Sequence, residues 1–128
     1  MKTTKNAIKA ASRSASGSRI DQPEGLGKAQ MKWGSDVVAE VTRQLDLKYI
    51  ALVPGASYRG FHDSIVNYLG NQNPQMVICL HEEHAVSIAD GYGKVTETPM
   101  AVALHSNVGL MHATMTIFNA WCDRTPMI

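Results

Sequence analysis

The segment "QMVICLHEEHAVSIADGYGK", residues 75–94, decides how the rest of the chain is interpreted. An apolar run, Met76 to Leu80, is followed without a spacer by His81, Glu82, Glu83 and His84. A helical apolar pattern then resumes and ends in glycine. A short apolar run without polar alternation is typical of a strand buried on both faces. The segment therefore predicts a buried strand that leads directly into a helix, with two carboxylates and two imidazoles at the junction.

Helices and strands alternate on both sides of this segment. The predicted strands are "KYIALVPG" (48–55), residues 75–80, "MAVALHS" (100–106) and the start of a fourth in "TPMI" (125–128). The predicted helices lie in 34–47, 57–70, 82–94 and 109–124. Such alternation implies a parallel sheet with right-handed crossovers. We therefore expect an α/β protein, a three-layer fold with a parallel sheet and helices on both faces, truncated in its fourth strand.

Apolar residues at helical spacing predict one face of each helix. On the first helix, which Ser35 or Asp36 can cap, this face holds Val37, Val38, Val41 and Leu45. On the second it holds Phe61, Ile65, Tyr68 and Leu69, with Gly70 as the stop. On the third it holds Ala85, Ile88, Ala89 and Tyr92, with an end near Gly91 or Gly93. On the fourth we expect these residues to face inward: Leu110, Thr114, Ile117, Phe118 and Trp121.

Composition and charge narrow the class of protein. Residues 1–30 hold six basic and two acidic residues and are rich in serine, which predicts a disordered basic tail. Organelle transit peptides share this composition, so targeting to an organelle by residues 1–20 is the alternative. Residues 31–128, the predicted domain, hold six basic and nine acidic residues, which argues against nucleic-acid binding. No apolar run is long enough to span a membrane. Two cysteines make no disulfide framework, so we expect a reduced, cytoplasmic protein.

Three turns should meet at one edge of the predicted sheet. They are "VPGAS" (53–57), "LHEEH" (80–84) and "LHSNVG" (104–109), and each follows a strand. In open parallel sheets, ligands bind beyond the carboxyl ends of the strands. These turns are therefore the predicted functional site.

A metal site and a phosphate site are two hypotheses for this edge. The zinc-protease pattern H-E-x-x-H needs histidine at position 85, where the chain has Ala85. His81 and His84 alone, at the edge of a helix, are too few ligands for a metal site. We therefore expect no metal ligands here. The glycine-bearing turns could hold phosphate, but they match neither phosphate-binding motif, and a carboxylate at the same edge would repel phosphate. Helix-dipole stabilisation explains a carboxylate such as Glu83, but it does not explain one placed directly after a buried strand.

A third hypothesis comes from resemblance. The chain from about Trp33 to Ile128, with "VPG", "HEEHAVSIADGYGK" and "ALHSNVGLMHATMTIFNAWCDRTPMI", resembles the pyrimidine-binding N-terminal domain of thiamine diphosphate-dependent enzymes. It is most similar to the acetolactate synthase and benzoylformate decarboxylase group. In that family a glutamate follows the strand, ten residues before the tyrosine of A-[DE]-G-Y. Since Tyr92 closes "ADGY", the matching residue is Glu82 and not Glu83.

The resemblance implies a role for each turn. Glu82 would bind the cofactor's aminopyrimidine and shuttle the proton that activates it, and Pro54 and Gly55 would let the backbone approach the cofactor. His105 and Ser106 match the "HS" version of the third turn, in which the histidine faces the substrate and moves protons. Capping of the strand end is the other interpretation of His105. The position after Gly55 is Ala56, which supplies no acid–base group.

The implied cofactors are thiamine diphosphate and Mg²⁺, the latter held by a diphosphate-binding domain with a G-D-G…N motif that these 128 residues lack. The implied activity is that of a 2-oxo acid decarboxylase or carboligase, in a homo-oligomer whose sites form between domains of different subunits. We expect the chain to be a truncated enzyme or a small subunit, inactive and self-associating by itself. The alternative is a non-catalytic α/β interaction or regulatory module derived from this fold.

Overall fold

A computed structural model describes residues 29–128, so nearly all of the predicted tail lies outside the described residues. The helices are α1 (Gly34–Gln44), α2 (Arg59–Asn67), α3 (Glu82–Thr96), α4 (Ser106–His112) and α5 (Thr114–Asp123), and a 3₁₀ turn (Ala56–Tyr58) precedes α2. The strands are β1 (Tyr49–Leu52), β2 (Gln75–Ile78) and β3 (Ala101–Ala103). None of the described helices has the length and apolar character needed to cross a membrane.

The sheet is parallel, with strand order β2-β1-β3. Ile50 of the central strand lies opposite Met76 on one side and Ala101 on the other. Beyond β3, Met127 forms a parallel bridge with Met100. This bridge is what the structure shows of the strand predicted in "TPMI". The order of elements and the parallel pairing confirm the predicted α/β class.

The core lies on both faces of the sheet, because successive side chains of β1 point to opposite sides. Ile50 and Leu52 pack in the cluster toward α1 and α2, which also holds Ala39, Leu47, Ile65, Met76 and Ala101. Ala51 packs toward α3 in the cluster with Cys79, Ala85, Ala89 and Met100. The sheet is thus the middle of three layers, as the apolar strands predicted.

Helix α3 is longer than predicted. It continues through Gly91 and Gly93 to Thr96 and ends at Glu97, whose φ of 56° is left-handed. The prediction that a glycine stops this helix was wrong. Gly93 serves close packing instead, since a Cβ there would lie 2.5 Å from Cγ2 of Thr125.

The predicted helix over residues 109–124 is two helices, and its inward face was predicted wrongly except at Ile117, which is half-buried. Leu110, Phe118 and Trp121 are exposed, whereas the buried positions of this segment are Gly109, Ala113 and Ala120. Small residues let α5 approach α3 closely, so the bulky side chains are left on the other side. The apolar face of α1 is likewise about half exposed at Val37, Val38, Val41 and Leu45, and α1 buries Asp36 and Ala39.

Asp36 joins α1 to α2 through hydrogen bonds. Its Oδ2 accepts the backbone N–H of Lys32 at 2.8 Å and that of Trp33 at 3.0 Å, and its Oδ1 accepts the Ser64 hydroxyl at 2.7 Å. The Lys32 N–H, followed by the Ser64 hydroxyl, holds the pKa of Asp36 below its usual value of 3.8. These bonds satisfy backbone donors that precede the helix and fix its contact with α2.

The depressed pKa of Asp36 predicts a pH-dependent contribution to stability. The contribution is fully present above the unfolded pKa of about 3.8 and is lost as the pH falls through the lower folded value. Asp36→Asn should therefore lower the urea midpoint at neutral pH, and the difference from the parent should shrink in acid. Asp46→Asn is the control, because Asp46 is exposed and its φ of 55° suits asparagine equally well. A difference that is constant with pH would contradict this prediction.

Candidate functional site

The structure brings the three turns into contact at the carboxyl edge of the sheet. A Cβ on Gly55, after β1, would overlap the imidazole of His105, which follows β3. A Cβ on Gly109 would lie 2.7 Å from Oε1 of Glu82, which follows β2. Glycine at these two positions therefore allows the turns to close around one another.

Glu82 reaches this edge by a different route from the one predicted. The strand β2 ends at Ile78, because β1 pairs with it only as far as Leu52. The N–H of Cys79 still donates to the Leu52 carbonyl at 2.9 Å, and then the chain turns, leaving Leu80 93% exposed. Glu82 is the first residue of α3, where the predicted helix begins, but the strand ends two residues earlier than predicted, so a turn separates Glu82 from the strand.

The carboxylate of Glu82 is nearly buried but keeps a path to solvent. The residue is 9% exposed, and its close polar contact is with Nδ1 of His112 at 3.6 Å. Among residues 29–128, no side-chain nitrogen or oxygen is both buried and without a partner. The positive end of the helix dipole, at the N-terminus of α3, favours negative charge at this position. The site thus presents one carboxylate, shielded on most sides and open on one.

Tyr58 belongs to this site, although no pattern in the sequence pointed to it. Its hydroxyl donates to the Val53 carbonyl and lies 3.3 Å from the Ala103 carbonyl, so it ties the ends of β1 and β3 together. Its ring meets that of His105 edge-on, with centroids 6.1 Å apart. Burial raises the pKa of Tyr58, and the negative charge of Glu82 raises it further.

Three further histidines lie at or against the start of α3. His81 is the N-cap of α3, and its Nδ1 accepts the N–H of Glu83 at 3.2 Å. His84 is exposed, with its ring centroid 5.5 Å from that of His81. His112, at the end of α4, stacks on His81 with centroids 5.3 Å apart and ring planes at 8°. The sequence did not single out His112, because only the fold carries α4 back over the start of α3.

The other predicted site residues take these places. His105 is half-buried and is the N-cap residue of α4, yet its side chain makes no capping hydrogen bond. Ser106 is exposed, with Oγ 3.1 Å from Oδ1 of Asn107. Pro54 is exposed beside Gly55, and Ala56 begins the 3₁₀ turn. The imidazole of His105 is therefore available for contacts other than capping.

Comparison with known proteins gives one family and several relatives. Residues 32–128 match the family model for the thiamine pyrophosphate enzyme, N-terminal TPP binding domain. The chain is similar to the acetolactate synthase large subunits of Haemophilus influenzae and Lactococcus lactis, each 28% identical over 95 residues. These matches cover 74% of this chain and 16% of each relative, so the chain spans about a sixth of their length.

Two solved structures share the fold. Benzoylformate decarboxylase from Polynucleobacter necessarius superposes with a TM-score of 0.62 at 24% identity, over 76% of this chain and 17% of that one. A putative thiamin diphosphate-dependent enzyme from Mycobacterium smegmatis superposes with a TM-score of 0.63 at 26% identity, over 77% of this chain and 18% of that one. The first of these shows the likeness of fold alone.

Proposed function

The chain belongs to the thiamine pyrophosphate enzymes, as their N-terminal TPP binding domain, and from this premise we propose that it forms the pyrimidine-binding half of the active site of a 2-oxo acid decarboxylase or carboligase. The observation that carries this proposal is the nearly buried Glu82 carboxylate at the edge where Gly55, His105 and Gly109 meet.

The surroundings of Glu82 fit an aminopyrimidine ring. A flat heterocycle needs a carboxyl group to pair with a ring nitrogen and backbone without side chains to lie against. Glu82 supplies the first, and the Pro54–Gly55 turn supplies the second. The open side of the carboxylate gives a ligand access, while its near burial reduces competition from water for that hydrogen bond. We assign Glu82, Pro54 and Gly55 to the cofactor on this basis.

Thiamine diphosphate, when bound, would supply a cationic thiazolium ring, which carries an acidic carbon and can take up the electron pair left when a 2-oxo acid loses carbon dioxide. The chain's own task is proton transfer. The Glu82 carboxyl group would exchange a proton with the pyrimidine ring nitrogen, which favours the tautomer that can act as a base toward the carbon acid. His105 would hold or move a proton at the substrate, and Ser106, exposed beside it, would bind the substrate.

Tyr58 would position this machinery and not react. Its hydroxyl bonds the ends of β1 and β3, and its ring touches that of His105. These contacts fix the distance between the Gly55 turn and His105. The diphosphate and Mg²⁺ would be held by another domain, in a longer protein or a separate subunit, and we propose a homo-oligomeric assembly.

A non-catalytic α/β interaction or regulatory module is the second candidate. Ala56 favours it, because this exposed position beside Gly55 supplies no polar group to the site. Against it stands the nearly buried Glu82, since a shielded carboxylate costs free energy that a purely structural turn would not need. The two candidates differ in whether catalysis requires the cofactor.

The proposed function predicts cofactor-dependent turnover. The complete protein, meaning this chain together with its diphosphate-binding domain, should release carbon dioxide from 2-oxo acids only when thiamine diphosphate and Mg²⁺ are both present. Removal of Mg²⁺ with a chelator is the matched control and should abolish turnover reversibly. Binding of the cofactor without any turnover across a panel of 2-oxo acids would favour the non-catalytic module, and turnover unaffected by the cofactor would refute the proposal.

A further inference from the structure

His81, Glu82 and His112 form a cluster of potential metal ligands drawn from two parts of the fold. The first two lie at the start of α3, and the third lies at the end of α4. One ligand atom from each residue lies within 4.8 Å of the others. We propose that this cluster binds one divalent transition-metal ion of the zinc class.

The ligand set suits such an ion. Two imidazoles and one carboxylate are a recognised zinc-binding set, and three protein ligands leave a fourth position open. Atoms bonded at about 2.0–2.1 Å to a tetrahedral ion lie roughly 3.3 Å apart, so the cluster must close from its present spacing. The ring of His112 must also turn out of its stacked position on His81, because the lone pair that binds a metal lies in the plane of the imidazole ring. His112 can make this movement, because its side chain is 54% exposed, whereas that of Glu82 is only 12% exposed.

The charges around the cluster also favour a cation. Among the ion pairs of residues 29–128, none joins Glu82 to a lysine or an arginine, and its nearest partner is Nδ1 of His112 at 3.6 Å. Glu83 adds a second carboxylate next to it in the chain. A metal ion would therefore neutralise a nearly buried charge that has no full cationic partner.

Binding should leave a specific mark on the N-cap of α3. Nδ1 of His81 accepts the N–H of Glu83, and a neutral imidazole has only one nitrogen with a free lone pair. If His81 binds a metal through either nitrogen, Nδ1 can no longer accept this bond. The Glu83 amide should consequently change its NMR signal when the metal binds.

The motif pattern alone argued against a metal, because it offered only two histidines at the edge of a helix. The fold adds His112, whose Nδ1 lies 3.6 Å from Oε2 of Glu82 and whose ring stacks on that of His81. The proposal uses only ligand atoms of this chain, so it stands whether or not Glu82 serves the cofactor. An ion held here would occupy the Glu82 carboxylate and deny it to any other ligand.

Calorimetric titration of the 128-residue chain with zinc chloride tests this site. We expect saturable binding of one ion, together with a shift of the Glu83 amide signal. Loss of a residue that only hydrogen-bonds to a metal ligand typically weakens metal binding by about 10–100-fold. Loss of a direct ligand, in His112→Ala, His81→Ala or Glu82→Gln, should therefore weaken binding by at least about tenfold. His112 is exposed, so His112→Ala should leave the fold intact, which a urea melt would check.

Two variants serve as matched controls. His84→Ala removes the neighbouring exposed imidazole, and Cys122→Ser removes the exposed thiol. Both should bind zinc as the parent does. If His84→Ala weakens binding as much as His112→Ala, the ion is held by a surface pair on α3 and the proposal is wrong. Absence of saturable binding, or unchanged affinity in His112→Ala, would overturn it equally.

Discussion

Replacing Glu82 by glutamine in the complete protein should slow exchange of the cofactor's thiazolium proton with deuterated solvent by about 10²-fold or more, while the fold survives. Glutamine keeps the size of the side chain and can still hydrogen-bond to a ring nitrogen, but it cannot give and take a proton. General acid–base groups are typically worth about 10²–10⁴-fold. Exchange followed by NMR after rapid mixing, together with a urea melt of each variant, is the measurement.

The matched control for this experiment is Glu83→Gln. Glu83 is one residue further along α3, so its side chain points about 100° away around the helix. Its backbone N–H bonds His81, an interaction that the substitution leaves in place. We expect little change in exchange. Equal effects of the two substitutions would refute the assignment of Glu82, and a larger effect of Glu83→Gln would mean that the ten-residue spacing to Tyr92 had identified the wrong carboxylate.

The alternation of elements could be predicted from the sequence, because short apolar strands and amphipathic helices differ in period and length. The period of the apolar pattern did not show which face of each helix is buried against the rest of the protein. Val37, Val41 and Trp121 lie on apolar faces, yet among the described residues these faces are largely exposed. Periodicity shows that a face is apolar, and close packing at small residues such as Ala39 and Ala120 decides which side of each helix turns inward.

The sequence alone did not show which glycines mark the end of a helix. Gly70, predicted as the stop of α2, lies in the turn three residues beyond the helix's last residue, Asn67, where its φ is 66°. Gly93 does not end a helix, because it is needed for contact with Thr125, a residue far away in the chain. The sequence shows that a glycine is present, but whether it provides a positive φ or a close approach depends on contacts that only the fold supplies.

The site residues that could be predicted from the sequence are those in the turns directly after strands. Gly55, Glu82 and His105 each lie in a turn after a strand, and parallel strands bring such turns to one edge. Tyr58 and His112 could not be found in this way. Tyr58 contacts one carbonyl just after β1 and one in β3, and His112 meets Glu82 across a helix contact 30 residues further along the chain. Neither contact leaves a local pattern.

His105→Ala should slow turnover of 2-oxo acids by the complete protein by about 10²–10⁴-fold, the usual worth of acid–base catalysis, with cofactor affinity nearly unchanged. The half-buried imidazole caps no helix and lies between Gly55 and the ring of Tyr58. Its position beside the cofactor turn, without a structural hydrogen bond, leaves it free for the substrate. Steady-state kinetics and cofactor titration are the measurements.

Packing of His105 against Gly55 has to be separated from proton transfer, because alanine removes both. His105→Gln fills much of the same space and keeps a hydrogen-bonding group, but it cannot exchange a proton near neutral pH. If His105 moves protons, glutamine should be about as damaging as alanine. Recovery of turnover in His105→Gln would reduce the imidazole to a packing residue that holds the two turns apart. Turnover unaltered in both variants would leave Glu82 as the one acid–base group proposed among the described residues, and the resemblance to the "HS" form of the third turn would carry no function.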